Sequence, residues 1–475
     1  MVTNRSSLAS LVIATSLLIF LNCEQGDGQT LPDNPYPYGN PVITHMYTAD
    51  AAPRVMPDGR VWMVTSVDSE LGGGYSTMHS YHTFSSADMV SWTDHGEILN
   101  LSDLDEPEGE DWALWAPDMI YVKGSYYLYF PIRAIMPDKK VKSWIAVAQS
   151  DSPDKRFKVI SNRIEGTSGI DPAIFSDDDG RYYLYWGSRK VARMNEDMIT
   201  LAENPGSLDI GVNNFMEASW MHKRKGIYYF NYHTRYDKPV SPDNPDDINR
   251  AKSQLDYCMG ESPYGPMKYA GVLNYELGVN VKNGPVYPGR DYVPWRLTQS
   301  NHGGVVEFHG QDYLFYHNSA LSSWRQDKFK EEGTWTQRSV CIDKIFYNDD
   351  GTMIPVRQTV EGVPEVIVKQ PFEIDIQDEA VTVRAGKCIQ FKNIDLGSGY
   401  YYFGLEASGV SQTGKIEVRA DQPDGKLLGT VHIIGNGVME CSLREAHGQH
   451  DIYLVPESDF TLSRARLFAG SPLRR

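Results

Sequence analysis

A degenerate repeat limits what this chain can fold into more than any other feature. Five segments share a turn glycine followed by an aromatic-rich alternating strand: DGRVWMVTS at Gly59, KGSYYLYFP at Gly124, DGRYYLYWG at Gly180, KGIYYFNYH at Gly226 and HGQDYLFYH at Gly310. Asp-Gly or Lys-Gly between two alternating runs predicts a β-hairpin, because the turn needs positive φ and glycine supplies it without steric strain. The strand before each turn alternates too, as in Met119-Ile120-Tyr121-Val122 and Val305-Val306-Glu307-Phe308. Helical periodicity is nearly absent between the hairpins. Small antiparallel sheets repeated along a chain protect their edges by closing into a ring. The expected fold is therefore all-β, beginning with a five-bladed β-propeller.

The repeat also aligns chemistry. Nine positions before the five glycines stand Asp50, Trp115, Asp171, Glu217 and Asn301, with His302 beside the last. Equivalent positions in equivalent blades lie on one ring about the axis, so three carboxylates, an indole and an amide should converge at one depth. Clustered acids repel and raise one another's pKa, which a purely structural scaffold has no reason to tolerate. The bland alternative is a set of solvated loop acids. Glycosidic hydrolysis needs one carboxylic acid and one carboxylate, and a third can keep the acid protonated near neutrality. Asp50 and Glu217 come from blades one and four. That leaves room for a water between them and implies inversion.

Composition narrows the partner. The formal net charge is −17 and no run of Lys and Arg stands out, which argues against nucleic acid. Aromatic residues make up 12% of the chain; sheet packing accounts for most of them and sugar stacking for some. At the N-terminus, Arg5 precedes an apolar run from Leu11 to Leu21 that is too short to span a bilayer. Residues 1–22 read as an export signal and resemble a bacterial lipoprotein signal with Cys23 as lipid acceptor. Phe20, Leu21 and Asn22 depart from the small residues usual before such a cysteine. The expected location is the periplasm or cell surface as a lipoprotein, or the medium, with membrane contact only through the lipid anchor. Cys258, Cys341, Cys388 and Cys441 show no C-x-x-C spacing, so a zinc site is not expected. A Cys388–Cys441 disulfide and buried free thiols both remain open.

The segments THMYTADAAPRV, WAPDMIYVKGSYYLYFP, GIDPAIFSDDDGRYYLYWG, MEASWMHKRKGIYYF and SNHGGVVEFHGQDYLFYH resemble glycoside hydrolase family 43 across residues 36–361. The resemblance implies a propeller that hydrolyses arabinosides, xylosides or some galactosides with inversion. Carried over by motif, Asp50 is the base that activates water, and Asp171 of Ile-Asp-Pro sets the pKa and orientation of the acid. Glu217 of Met-Glu-Ala is the general acid. The family usually has Pro-Ser after the base, whereas here Ala51-Ala52 follow and Pro53 comes one place later. Trp115 and Asp118 of Trp-Ala-Pro-Asp look like the wall and framework of the sugar pocket; for Asp118, sugar contact and a strand-capping role are both open. His302 stands where members place an axial histidine, as a substrate contact or as a ligand to a structural calcium through ordered water. A hydrogen-bonded core histidine is the alternative. Arg338 of Gln-Arg-Ser-Val resembles an arginine that reaches a sugar hydroxyl or the acid, the alternative being a surface strand residue. The chemistry requires no cofactor. The polar stretch 236–253 reads as a long loop that shapes the pocket or is a solvated insertion.

After Val363 the repeat stops. Residues 366–475 alternate strongly and carry Gly and Asp turns, as expected for a jelly-roll-like β-sandwich. The runs FKNIDLGSGYYYFGLEAS, GKIEVRADQPDGKLLGTVHI and HGQHDIYLVPE resemble a family 6 carbohydrate-binding module. Such modules usually carry a tryptophan where this chain has Asn436-Gly437-Val438-Met439-Glu440, so sugar binding and a buttressing role are both open. The expected activity is exo-acting, inverting release of α-L-arabinofuranose or β-D-xylose from an oligo- or polysaccharide. A galactofuranosidase or galactosidase of the same family and a non-catalytic carbohydrate-binding propeller are the alternatives. The complete acid trio speaks against the last.

Overall fold

Five sheets of the computed structural model follow one another along the chain in the order the hairpin glycines mark. The structure describes residues 39–71, 74–105, 109–234, 254–274, 300–326, 337–366, 372–376, 380–396, 400, 402–443 and 448–468. The export segment, Cys23 and the stretch 236–253 lie outside the described residues. Among those described, no helix is long and apolar enough to cross a membrane.

Blade one runs Thr48–Val55, Val61–Val67, Ser80–Ser86, Thr93–Asn100 in sequence order, every pair antiparallel. Blade three begins at Ala173–Ser176, blade four at Phe215–Arg224 and blade five at Gly304–Phe308, each with the same up-and-down order. In blade two the inner strand is split: Glu110–Leu114 and Asp118–Val122 both pair with Ser125–Ile135. All five turn glycines have positive φ: 77° at Gly59, 94° at Gly124, 78° at Gly180, 81° at Gly226 and 82° at Gly310. Lys123, Lys225 and His309 before three of them are left-handed as well, which makes two-residue turns. In blades one and three the turn is longer, closed by Gly59 and Gly180 donating to the carbonyls of Met56 and Asp177.

Each blade buries both faces, which explains the aromatic strands. Along the second strand of blade four, Tyr228, Phe230 and Tyr232 pack towards Phe175, Tyr183 and Tyr185 of blade three. Their neighbour Tyr229 joins Leu314 and Tyr316 of blade five in a different cluster. Blade three splits the same way, with Leu184 and Trp186 against Tyr129 and Val147 of blade two. A strand with period two and apolar groups on both sides cannot serve one core only, so the sheets stack around a circle. Val61, Met63 and Phe84 of blade one meet Phe308, Tyr313 and Phe315 of blade five, and the ring is closed. Before blade one, Val42 donates to Val340 at 2.9 Å and the Asn40 side chain accepts from Ile342 at 2.7 Å, tying the two ends together. A Cβ at Gly304 would lie 2.2 Å from Pro53 Cδ, so the first and last inner strands touch where only glycine fits.

The C-terminal unit is a sandwich of two antiparallel sheets. One contains Phe372–Ile374, Val381–Val383, Phe460–Phe468, Tyr402–Ser408 and Gly437–Ser442; the other Ile389–Asp395, Gln449–Pro456, Gly414–Ala420 and Leu427–Ile433. Phe403, Leu405, Ile416, Val431, Leu454 and Leu462 fill the space between them. The Cys388–Cys441 pairing is not made. Cys441 is buried in one sheet while Cys388 is exposed beside the other, and all four described cysteines are free thiols.

Candidate active site

At the shared position of each blade, the inner strand departs from regular pairing. Register shifts flank Asp50 and Glu217, the blade-two strand breaks at Trp115, and the inner strands of blades three and five start only after Asp171 and Asn301. Asp50 and Asp171 have φ of 55° and 56°, and Ala218 and Ser300, each beside a register residue, have 63° and 44°. Left-handed backbone at four neighbouring non-glycine residues stores strain, and such strain gathers where side chains must be held in fixed directions. Here it turns the carboxylates out of the sheets and towards the axis.

Asp50 is 3% exposed, and every polar neighbour favours its ionised form. Arg338 Nη1 donates to Oδ1 at 3.0 Å, Ser66 donates to Oδ2 at 2.5 Å, and His302 Nδ1 lies 3.0 Å from Oδ1. Burial alone would raise its pKa, but Arg338 and His302 outweigh that and hold the carboxyl well below the usual range. Arg338, itself fully buried, is anchored by bonds from Nε and Nη2 to Asp68 at 3.0 and 2.8 Å. It is not a surface strand residue, and it reaches the aspartate of blade one, not Glu217.

His302 stands between two acids, with Nε2 3.6 Å from Asp171 Oδ1. Burial opposes its charge, yet Asp50 and Asp171 raise its pKa well above the ordinary value, so it is an imidazolium at neutral pH. The void it lines with Asp50, Asp171, Ala116, Pro117 and Ala218 is about 10 Å³, the room of one water. Calcium takes six to eight oxygen ligands. Carboxylates face both ring nitrogens of His302, so neither nitrogen is turned to an ion, and no step is routed through a metal.

Asp171 and Glu217 are shifted in opposite directions. Burial raises Asp171, against His302 and the Ala218 N–H that donates to Oδ2 at 2.8 Å. Burial also acts on Glu217, but His233, whose Nδ1 lies 3.3 Å from Oε1, and His302 turn the net shift downward. The Glu217 side chain keeps 18% of its surface exposed, against 5% for Asp171. Burial thus lifts Asp171 while the two histidines hold Glu217 down.

Trp115 is half-buried; its Nε1 donates to the Tyr75 carbonyl at 2.9 Å and its own carbonyl accepts from Tyr81 at 2.5 Å, which fixes the indole. Asp118 is not a sugar contact. It is 1% exposed, with Oδ2 accepting from Arg54 at 2.5 Å and from the Ile174 N–H at 2.8 Å, so it clamps blades one, two and three. Asn301 is likewise framework: fully buried, it bridges Asn274 and the His317 N–H, and His302 takes the axial place instead.

Sequence reasoning missed the supporting residues, though a signal for three was present. Seven positions after the turn glycine stand Ser66, His233 and His317 in blades one, four and five. All three touch Asp50 or Glu217, with His317 Nδ1 accepting from the Asp50 N–H at 3.2 Å. In a hairpin, a residue seven after the turn lies across from one nine before it when a bulge intervenes. Asp68, Tyr75 and Ser300 carried no such mark, since they come from connections outside the paired strands.

The profile of glycosyl hydrolases family 43 matches residues 38–256, and that of carbohydrate binding module family 6 matches residues 373–463. The chain is 32% identical over 371 residues to a xylosidase/arabinosidase of Bacteroides ovatus, covering 67% of this chain and 96% of that protein. It is 27% identical over 493 residues to an arabinoxylan arabinofuranohydrolase of Bacillus subtilis, covering 88% of each. Among solved structures, a β-xylosidase/α-arabinofuranosidase from a compost microbial metagenome, in complex with xylotriose and calcium-free, aligns with a TM-score of 0.52 at 31% identity, over 67% of this chain and 97% of that one.

Proposed function

The chain belongs to glycosyl hydrolases family 43 and carries a family 6 carbohydrate-binding module, and from that premise we propose that it releases a terminal α-L-arabinofuranose or β-D-xylose. Hydrolysis is inverting, as in the family, so one carboxylate must activate water and one carboxylic acid must protonate the leaving oxygen in a single displacement. We read Asp50 as the base, Glu217 as the acid and Asp171 as the group that tunes Glu217. One observation carries this reading: the environments push the acids apart. Asp50 is held ionised by Arg338 and His302, whereas burial and the charge of Glu217 both push Asp171 up.

Substrate sets which of the two carries the proton. A sugar seated against Trp115 removes the water still reaching Glu217, and desolvation raises a carboxyl's pKa. The Ala218 N–H and His302 stabilise the charge of Asp171, so with a sugar bound the proton belongs on Glu217 and the ionised Asp171 holds it there.

Two measurements test the reading. Nitrophenyl α-L-arabinofuranoside and β-D-xyloside should be turned over at least tenfold faster than the β-D-galactofuranoside; the reverse order would overturn the pentose assignment. Proton NMR at early times should find the inverted anomer, and retention would exclude Asp50 as a base. The tuning role gives a further expectation. Asp171→Asn removes the charge that raises Glu217, so the basic limb of the kcat–pH profile should move down by about one unit. An unmoved limb would show that Asp171 does not tune the acid.

A further inference from the structure

We propose that His317, held as the neutral Nε2–H tautomer, aims Asp50 at the water, and that a buried amide chain behind it fixes the ring. The assignment rests on Asp50 being the base. The bulge between Ala49 and Ala52 takes Asp50 out of register with the second strand of blade one, at φ 55°. A non-glycine residue keeps such an angle only where its surroundings over-determine it. Its N–H is donated across to blade five, where His317 Nδ1 accepts it at 3.2 Å. A ring nitrogen that accepts carries no proton, so the proton of the imidazole is on Nε2. An unprotonated Nδ1 offers no hydrogen bond to Asp50 Oδ1, 3.7 Å away. The ring therefore holds the peptide of Asp50 and leaves its carboxylate to Arg338, Ser66, His302 and water.

His317 is itself held. It stands near the end of Gln311–Asn318, the second strand of blade five. Its N–H donates to Asn301 Oδ1 at 3.2 Å, Asn301 Nδ2 to Asn274 Oδ1 at 3.2 Å, and Asn274 Nδ2 to the Val356 carbonyl at 3.1 Å. His317, Asn301 and Asn274 are all fully buried. The four bonds run in one direction, from Asp50 through blade five to Asn274, which ends the outer strand of blade four, Lys268–Asn274. A satisfied polar chain in a low-dielectric interior specifies one arrangement of its members. It ties the Asp50 backbone to two other blades, and it gives Asn301 a task at the shared register that needs no contact with sugar. Without the Nδ1 acceptor the strained peptide relaxes and the carboxylate swings away from the water. His317 acts through Asp50 and is a positioning residue.

Amide substitutions separate the two ring nitrogens. In His317→Asn the amide oxygen falls where Nδ1 was and accepts the same N–H. In His317→Gln the polar group falls where Nε2 was, and that N–H loses its acceptor. His317→Asn should keep about a third or more of the wild-type kcat, whereas His317→Gln and His317→Leu should lose about 10- to 100-fold, the cost of misplacing a reacting group by about an ångström. The loss should be equal on a xylo-oligosaccharide and on a dinitrophenyl pentoside, because activating water does not depend on the leaving group, and KM should change little. Rates are read well below each variant's melting temperature, so that unfolding is not counted; should His317→Leu fail to fold, the Asn and Gln variants decide. Wild-type kcat in His317→Gln, equal losses in the Asn and Gln variants, or a loss confined to the oligosaccharide would overturn the role of Nδ1. Asp50→Asn, run beside them, keeps the two ideas apart: wild-type turnover there removes the base assignment itself, whereas an inactive Asp50→Asn with a fully active His317→Gln removes only the aiming role.

Discussion

Asp50→Asn should lower kcat by about 10³- to 10⁴-fold on every substrate, whatever its leaving group. The substitution keeps the shape of the side chain and removes only its ability to take a proton from water. In a single displacement no covalent intermediate can form by another route, so the loss cannot be bypassed by easier bond cleavage. Glu217→Gln differs. Dinitrophenolate departs without protonation, so that variant should lose about as much on an oligosaccharide but recover most of its rate on the activated pentoside. A plot of log kcat against leaving-group pKa distinguishes them: parallel to wild type for Asp50→Asn, steeper for Glu217→Gln. An Asp50→Asn enzyme that recovers with a better leaving group would exclude Asp50 as the base. KM should stay within a few-fold for both, because neither carboxyl is the main sugar contact.

Arg338→Met should cost about 3–5 kcal/mol of folding stability, the largest effect expected away from the acids, because Asp68 and Asp50 are then buried without their cation. The pH dependence has a definite sign. Asp50 has a folded pKa below its unfolded value of about 3.9, so its contribution is fully present above that pH and is lost as pH falls towards the folded pKa. Without Arg338 the folded pKa rises, and that contribution shrinks. The gap between wild type and variant in urea denaturation should be widest at pH 6–7 and narrow below about pH 4. The acid limb of kcat/KM should move up in parallel, since Asp50 protonates sooner. Arg338→Lys keeps a charge and should restore much of the limb while recovering less stability, as an ammonium cannot fork across two carboxylates. A variant as stable as wild type, with the acid limb in place, would mean that the ion pair neither holds the blades nor tunes Asp50.

The hairpins and their register were legible because both depend on short-range rules. A turn that needs positive φ selects glycine locally, and period-two alternation fixes which residues share a face. Five such turns at matching offsets define a ring without any knowledge of contacts. The same arithmetic, run seven places forward, picks out Ser66, His233 and His317. It fails for Asn301, which occupies the right register but turns into the framework while His302 points inward. The strand there has not yet begun, so the alternation that assigns faces does not apply.

The three acids announced themselves in the sequence, and the ring followed from the register they share with the turn glycines. What the sequence did not hold was the difference between them. Asp50 is set apart by Arg338, 288 residues away, and by His302, while Asp118, another aspartate close to the register, is bound to Arg54 and a neighbouring blade. Charge interactions act through space and depend on what is packed within a few ångströms, with burial deciding how strongly they count. Blade closure brings those partners together, so the position of each acid is local information and its role is tertiary.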